Sequence, residues 1–481
     1  MYFIFKIFLF LLLTIITDKT SAILKQDALG QNLIVLLIDG YGNNLFNKTN
    51  SKLSLGIQTL LENGVQADYL KPIFPTWSYP TWTSLSTGLY SENHHMSSDF
   101  MYDEENEMLF QRDEGENDTD YRWFIDEPDP IWYTAGKANV NVHCYWFSTC
   151  HRAHGDQIVR VDKKRRHSFK NKNDTNLLAE IPSLMRHIKK FQPYRQQLAL
   201  MRFNGVANAL QNYGENSHEF NQALSAADVT IRKIQEELEA KNLFETTNFI
   251  VLSGHGYMPF DEEEQFYLDE CLEDFSRVKR VVNSLSMMLV YPQEGEEDTV
   301  FFELKVCDQW APMGDYEGDE QPLVRVYRHN EVPDRYHWKN GRHMAPIVIM
   351  TKPGTILLTR QIPSTDVSEA LGREVKEISG WDNEASDMLG IFMARGPAFK
   401  SNYKTGPVDL VDVYPLMLGV LGLQAPHQNN GSWSNVIDMI SDDWESKTAR
   451  DPNYNSSPSL FVSSLVLIPL FSILQCIVRE H

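Results

Sequence analysis

Positive charge is what this chain lacks most. Its 481 residues include 44 Lys and Arg against 65 Asp and Glu, a formal net charge of -21. That balance argues against nucleic-acid backbones and anionic lipid surfaces as partners of the folded body. No internal repeat is present, which excludes a solenoid or blade array. Cysteine is scarce at five, and Cys476 falls inside an apolar terminal run. The other four, Cys144, Cys150, Cys271 and Cys307, suffice for two disulfides in an oxidising compartment. Cys144–Cys150 is the expected first pair because it closes a short loop. What is plentiful is apolar material, 42% hydrophobic and 11% aromatic, enough for a sizeable core.

Both ends are apolar. The start has Lys6, then a run from Ile7 to Ile16, then small residues at Thr20 and Ala22. This predicts a signal peptide over residues 1–22, the run being too short to span a bilayer. Near the other end, LFVSSLVLIPLFSILQCIV runs from Leu460 to Val478, about long enough to cross a membrane. Ser456 and Ser457 upstream also fit a lipid-anchor signal, although the spacer is short and the tail 479–481 is charged. A spanning helix and a lipid anchor both stay open. Between the ends lie an ectodomain at 23–445 and a stalk at 446–459. Sequons at Asn47, Asn117, Asn173, Asn430 and Asn455 agree with an exported, glycosylated chain whose bulk lies outside the cell.

Asn32–Ile38, NLIVLLI, is a continuous apolar run and predicts a strand buried on both faces of a parallel sheet. Further strands are expected at 142–147, 197–203, 248–252, 286–291, 345–350 and 389–393. Helices are expected at 56–62, 220–243 and 410–423. Alternation of strands and helices predicts an α/β sheet with helices on both faces, where ligands gather at the carboxyl ends of strands. Asp39, Ser78, Asn204 and His255 all fall just after predicted strands or in the turns beyond them. The stretch 103–120 reads as an exposed acidic loop. The stretch 261–319 reads as a small acidic, irregular insertion with its own hairpin.

Six stretches then occur in order: Asp39-Gly40 closing the first strand, FPTWSYPTWTSLSTGLYSENHHM, SGHG, GWDNEASDMLGIFMARGPAFKSN, VDLVDVYPLMLGVLGL and NNGSWSNV. Together they resemble the ectonucleotide pyrophosphatase/phosphodiesterase family of the alkaline phosphatase superfamily, over roughly residues 30 to 436. The serine at 78 and the NNGSWS ending are most similar to the family's choline-specific glycerophosphodiesterase. The resemblance implies an alkaline-phosphatase-like α/β fold with a central, mostly parallel sheet. It also implies a two-zinc phosphodiesterase site. There, metal lowers the pKa of a hydroxyl nucleophile and a second cation neutralises the phosphoryl oxygens.

Carried over residue by residue, the resemblance makes Ser78 the nucleophile and Asp39 and His255 metal ligands. Pro80 is well placed in the first helical turn behind Ser78. The remaining ligand positions are replaced. The carboxylate beside His255 is Gly254, the carboxylate of the second site is Asn204, and its histidine four residues on is Asn208. The distant histidine is Ser379. The phosphate-contacting asparagine is Asp99. Three of seven ligand positions survive, all in one site. Between Gln196 and Tyr213 there is no Asp and no His, so no shift of register supplies the missing pair. His143, His151, His154, His337 and His343 are the available substitutes. Asp99 adds the wrong sign: two like charges about 4 Å apart repel by roughly 4 kcal/mol at an effective dielectric near 20.

Plainer readings stand beside these. Ser78 also suits the start of a helix as an ordinary capping residue. Asp39 and His255 also suit a hydrogen-bonded pair that never meets a metal. Trp77, Tyr79, Trp82, Tyr145 and Trp146 could line a pocket for a quaternary ammonium, but core packing is the expectation. The sequence therefore predicts a tethered ectodomain with a dismantled bimetal centre, holding no cofactor or at most one zinc. Its partner is an extracellular ligand or protein, with membrane contact through the C-terminal segment. The alternative is a phosphodiesterase on nucleotides or glycerophosphodiesters, with Ser78 as nucleophile in a rearranged site.

Overall fold

The computed structural model describes residues 32–49, 55–111, 123, 128–147, 150, 174–260, 265–272, 274–309, 322–359 and 375–442. The fold is organised by the strand Asn32–Ile38, whose seven residues are all buried. Successive side chains on a strand point to opposite faces. Leu33, Val35 and Leu37 accordingly join an apolar cluster with Tyr79, Trp82 and Leu85 and with residues 413–421. Ile34, Leu36 and Ile38 join a second cluster, built from the helices Asn43–Thr49, Leu55–Glu62, Asp174–Phe191, Gly205–Tyr213 and His218–Ala240. Helices therefore cover both faces.

The central sheet has seven strands, ordered Tyr403–Thr405, Val65–Ala67, Phe392–Arg395, Thr247–Leu252, Asn32–Ile38, Gln197–Phe203 and Asn141–Tyr145. Asn32–Ile38 runs parallel to both neighbours, and Asn141–Tyr145 runs parallel to Gln197–Phe203. Phe392–Arg395 is antiparallel to the strands on either side of it. Three adjacent parallel strands thus end at one edge, which brings Asp39, Asn204 and the Ser253–His255 turn together.

Two expectations need correction. The predicted acidic loop begins inside a hairpin, Phe100–Asp103 paired antiparallel with Met108–Gln111. Its alternating apolar residues, Phe100, Tyr102 and Phe110, are buried and hold it down. The predicted small insertion does contain its hairpin, Val278–Asn283 with Met287–Pro292. That hairpin, however, is half of a four-stranded sheet completed by Ile347–Thr351 and Val324–Arg328. Pairing across more than fifty residues of chain leaves no local signature. Disulfides join Cys144 to Cys150 and Cys271 to Cys307. Among the described residues no helix is long and apolar enough to cross a membrane. The segments at 1–22 and 446–478 lie outside the described residues.

Leu36 has no solvent exposure at the centre of the sheet. Leu36→Ala should lower unfolding free energy by about 3 kcal/mol, read by urea denaturation without reductant. A loss under about 1 kcal/mol would contradict this packing.

Glu377 sits in a two-residue strand, Glu377–Ile378, beside Pro259 and Met258. Its Oε1 accepts the Glu215 N–H, while Oε2 is buried without a hydrogen-bond partner among the described residues. Burial pushes this carboxyl up to about 7 from its ordinary 4.5. Between those values the folded chain keeps a proton that the unfolded chain has lost. Stability contributed by this group therefore falls as pH rises through that window. Glu377→Gln should flatten the pH dependence of the melting temperature there, and an unchanged slope would refute the assignment.

Candidate functional site

Each functional side chain is placed by a tight local fit. Asp39 follows the first strand, and its N–H donates to the Phe203 carbonyl at 3.0 Å. Gly40 comes next with φ 75°, where a Cβ would lie 2.8 Å from the Tyr257 ring, so only glycine turns the chain there. Ser78 opens the helix Ser78–Thr87, with Trp77 extended before it. Thr81 Oγ1 donates back to the Trp77 carbonyl at 2.7 Å and fixes that start. His255 is carried by the turn after Thr247–Leu252, where Ser253 Oγ donates to its carbonyl at 2.8 Å. A Cβ at Gly256 would lie 2.0 Å from the Asp387 carbonyl oxygen, so this turn also requires glycine.

Asp39, Ser78 and His255 are brought together as the sequence predicts, and none is exposed beyond 1%. The Gly256 carbonyl can only accept, so His255 Nδ1, at 2.9 Å, carries the proton. In the neutral ring Nε2 is then the acceptor, and Ser78 Oγ donates to it across 3.2 Å. Asp39 Oδ1 lies 3.7 Å from the same Nε2. The carboxylate therefore faces the serine side of the ring. It does not form a Ser-His-Asp relay, which needs the carboxylate at Nδ1. Neither oxygen of Asp39 has a hydrogen-bond partner among the described residues.

The residue that sequence reading missed is Arg202. Its Nε lies 3.7 Å from Asp39 Oδ2, and both side chains are 1% exposed. Its guanidinium stacks on the Trp82 ring at 4.6 Å. The available signal was a lone arginine in an apolar strand, QLALMRF. Pairing opposite Leu37, it shares the sheet face of Leu198 and Leu200, the side on which Tyr79 and Trp82 pack.

Asp99 is fully buried, and its Oδ1 accepts the Tyr79 N–H at 2.7 Å. A carboxylate thereby occupies the first turn of the nucleophile helix, where the exposed amides and the dipole favour an anion.

The four replaced positions are all in view. Gly254 has no donor, and a Cβ there would lie 3.2 Å from Thr81 Cβ, so a side chain would crowd the helix. Asn204 and Asn208 stand one turn apart at the start of the helix Gly205–Tyr213. Ser379 is buried, and its Oγ has no hydrogen-bond partner among the described residues. The proposed substitutes are engaged elsewhere. His143 meets Gln197, His337 stacks on Tyr90, and His343 lies 3.8 Å from Asp103. His151 and His154 lie outside the described residues. Trp77, Tyr79, Trp82 and Tyr145 are core, with Trp146 half-buried, which supports packing over an open aromatic pocket. Asn47 and Asn430 are exposed, while Asn117, Asn173 and Asn455 lie outside the described residues.

These residues do not fit the two-zinc centre that the resemblance implies. No group of three or more His, Cys, Asp or Glu among the described residues is arranged to hold a metal. Charge also opposes it. Arg202 beside Asp39 already offsets its charge, so a divalent ion would have to share that carboxylate with a buried cation. At about 5 Å and an effective dielectric near 20, that ion and the guanidinium would repel by roughly 7 kcal/mol.

Comparison with known proteins places this architecture. The sequence model of "Type I phosphodiesterase / nucleotide pyrophosphatase" matches residues 33–381. Bis(5'-adenosyl)-triphosphatase enpp4 of Xenopus laevis is 26% identical over 86% of this chain and 82% of its own length. Ectonucleotide pyrophosphatase/phosphodiesterase family member 5 of Homo sapiens is 26% identical over 79% of this chain and 72% of its own. Among solved structures, murine ectonucleotide pyrophosphatase/phosphodiesterase 5 superposes with a TM-score of 0.70 at 23% identity, covering 85% of this chain and 100% of that one. An inactive form of it in complex with AMP gives 0.69. The fold is alkaline-phosphatase-like, and the chain belongs to the type I phosphodiesterase / nucleotide pyrophosphatase family.

Proposed function

We propose that this chain is a catalytically silent member of its family, an extracellular ectodomain that binds a ligand or a protein instead of hydrolysing a phosphodiester. One observation carries the reading: the Asp99 carboxylate sits on the Tyr79 amide, at the position where the resemblance puts a phosphate contact. An incoming phosphoryl group meets a buried anion already bound at the helix start. The losses at Gly254, Asn204, Asn208 and Ser379 support the same reading, because none supplies a carboxylate or an imidazole.

A signal peptide at 1–22, the sequons and the apolar run at 460–478 support display at the cell surface through a C-terminal anchor. Family relatives whose names carry the ecto- prefix fit that location. Kinship with the choline-specific glycerophosphodiesterase rests on Ser78 and NNGSWS alone.

A second reading, a phosphodiesterase with one zinc and Ser78 as nucleophile, is favoured by a single feature. Ser78 Oγ and Asp39 Oδ1 both approach His255 Nε2, at 3.2 and 3.7 Å.

Hydrolysis of diadenosine triphosphate and of bis(p-nitrophenyl) phosphate, with added zinc, separates the two readings. Turnover by the wild-type chain should be indistinguishable from that of Ser78→Ala. Zinc-dependent turnover that Ser78→Ala abolishes would establish the second reading.

A further inference from the structure

We propose that Arg202 is the resident cation of this centre, its guanidinium replacing a divalent metal as the counter-charge of Asp39 and keeping the pocket metal-free. The inference deepens the catalytically silent reading and shares its site.

Asp39 is a carboxylate with essentially no solvent exposure, and no donor lies within hydrogen-bond distance of either oxygen among the described residues. A buried carboxylate needs a counter-charge, because without one its ionised form is strongly disfavoured. Within the family that role falls to a metal. Among the described residues the arginine beside Asp39 is Arg202, 3.7 Å away at Nε and equally buried. A guanidinium stays charged at every relevant pH and is only weakly hydrated, so it is the side chain best able to serve as a permanent buried cation.

The placement of Arg202 is rigid. It lies on the Gln197–Phe203 strand, in register with Leu37, two residues before Asp39 on the neighbouring strand. The Trp82 ring covers its guanidinium at 4.6 Å, so the cation rests against the helix that begins at Ser78. Sheet and nucleophile helix thus hold the arginine between them.

Zinc carries twice the charge and takes carboxylate and imidazole donors at about 2 Å. With Arg202 present, zinc entering beside Asp39 Oδ1 meets a carboxylate whose charge is already matched. With Arg202 removed, Asp39, Ser78 and His255 become an anionic, three-donor cluster with nothing to neutralise it. Loss of the arginine should therefore both destabilise the chain and create affinity for zinc.

The test uses the purified protein and three variants, Arg202→Met, Asp39→Asn and Arg202→Met/Asp39→Asn. Each is melted in chelator and in excess zinc, and each is titrated with zinc by calorimetry. Wild type should melt at the same temperature in both conditions. Arg202→Met should melt about 5 °C or more lower in chelator, recover in zinc, and bind zinc at least about tenfold more tightly than wild type. The double variant should melt above Arg202→Met in chelator and show no response to zinc. If Arg202→Met fails to fold, the double variant carries the same comparison, and its failure to fold would overturn the proposal. So would zinc-dependent stabilisation of the wild type that Asp39→Asn removes, or an Arg202→Met melt equal to wild type. Wild-type turnover without zinc binding would sink the silent reading and leave Arg202 in place. Zinc binding through Asp39 without turnover would do the reverse.

Discussion

A carboxylate buried at the end of the central strand must be neutralised, and the rest of the site follows from how this chain meets that need. Asp39 is forced inside because the apolar run before it, Leu33 to Ile38, is buried on both faces and delivers it to the edge where three parallel strands end. Water cannot reach it. A fixed guanidinium on the adjacent strand supplies the opposite charge at 3.7 Å. Replacing a mobile divalent ion by a tethered monovalent one changes what the pocket can do. A guanidinium balances Asp39, but it cannot accept the electron pair of a hydroxyl, so nothing in this pairing activates Ser78 as a metal does.

Asp99 completes the same logic from the other side. The first turn of the nucleophile helix presents amide hydrogens and the positive end of a dipole. In this chain a carboxylate already holds the Tyr79 amide at 2.7 Å. In the proposed reading, the Asp39–Arg202 charge pair closes the metal side of the pocket and the Asp99–amide contact closes the phosphate side. Ser78 and His255 survive between them as a buried hydrogen-bonded pair, geometrically suited to proton transfer. The Tyr79 amide is already committed to Asp99 and is not available to a developing phosphoryl charge, and such stabilisation is usually the largest catalytic term.

Much of this was legible in the sequence because it is local. NLIVLLI announces a strand buried on both faces, and the strand has the predicted bounds. Gln197–Phe203 was read equally well, and the turns after both strands carry the residues picked out for the site. The long-range features left no such trace. Asp228, in mid-helix, accepts the Gly56 and Ile57 amides and so caps a helix 171 residues earlier. No sequence pattern marks that role. The strand Val324–Arg328 completes a sheet begun at Val278 and was not anticipated. Arg202 was visible only as an oddity in an apolar strand. Its meaning depends on register with Leu37 and on Trp82 reaching it from another element. Asp99 was marked from the resemblance as a charge of the wrong sign, but its bond to the Tyr79 amide required the fold.

The central claim is that an arginine supplies the counter-charge to Asp39 that a metal supplies in the family site. It is tested most directly by a crystal structure from crystals equilibrated in excess zinc, with anomalous data collected across the zinc absorption edge. The account predicts no anomalous peak between Asp39, Ser78 and His255, and a guanidinium of Arg202 paired with Asp39. A zinc peak bonded to Asp39 and His255, with Arg202 turned away, would contradict it.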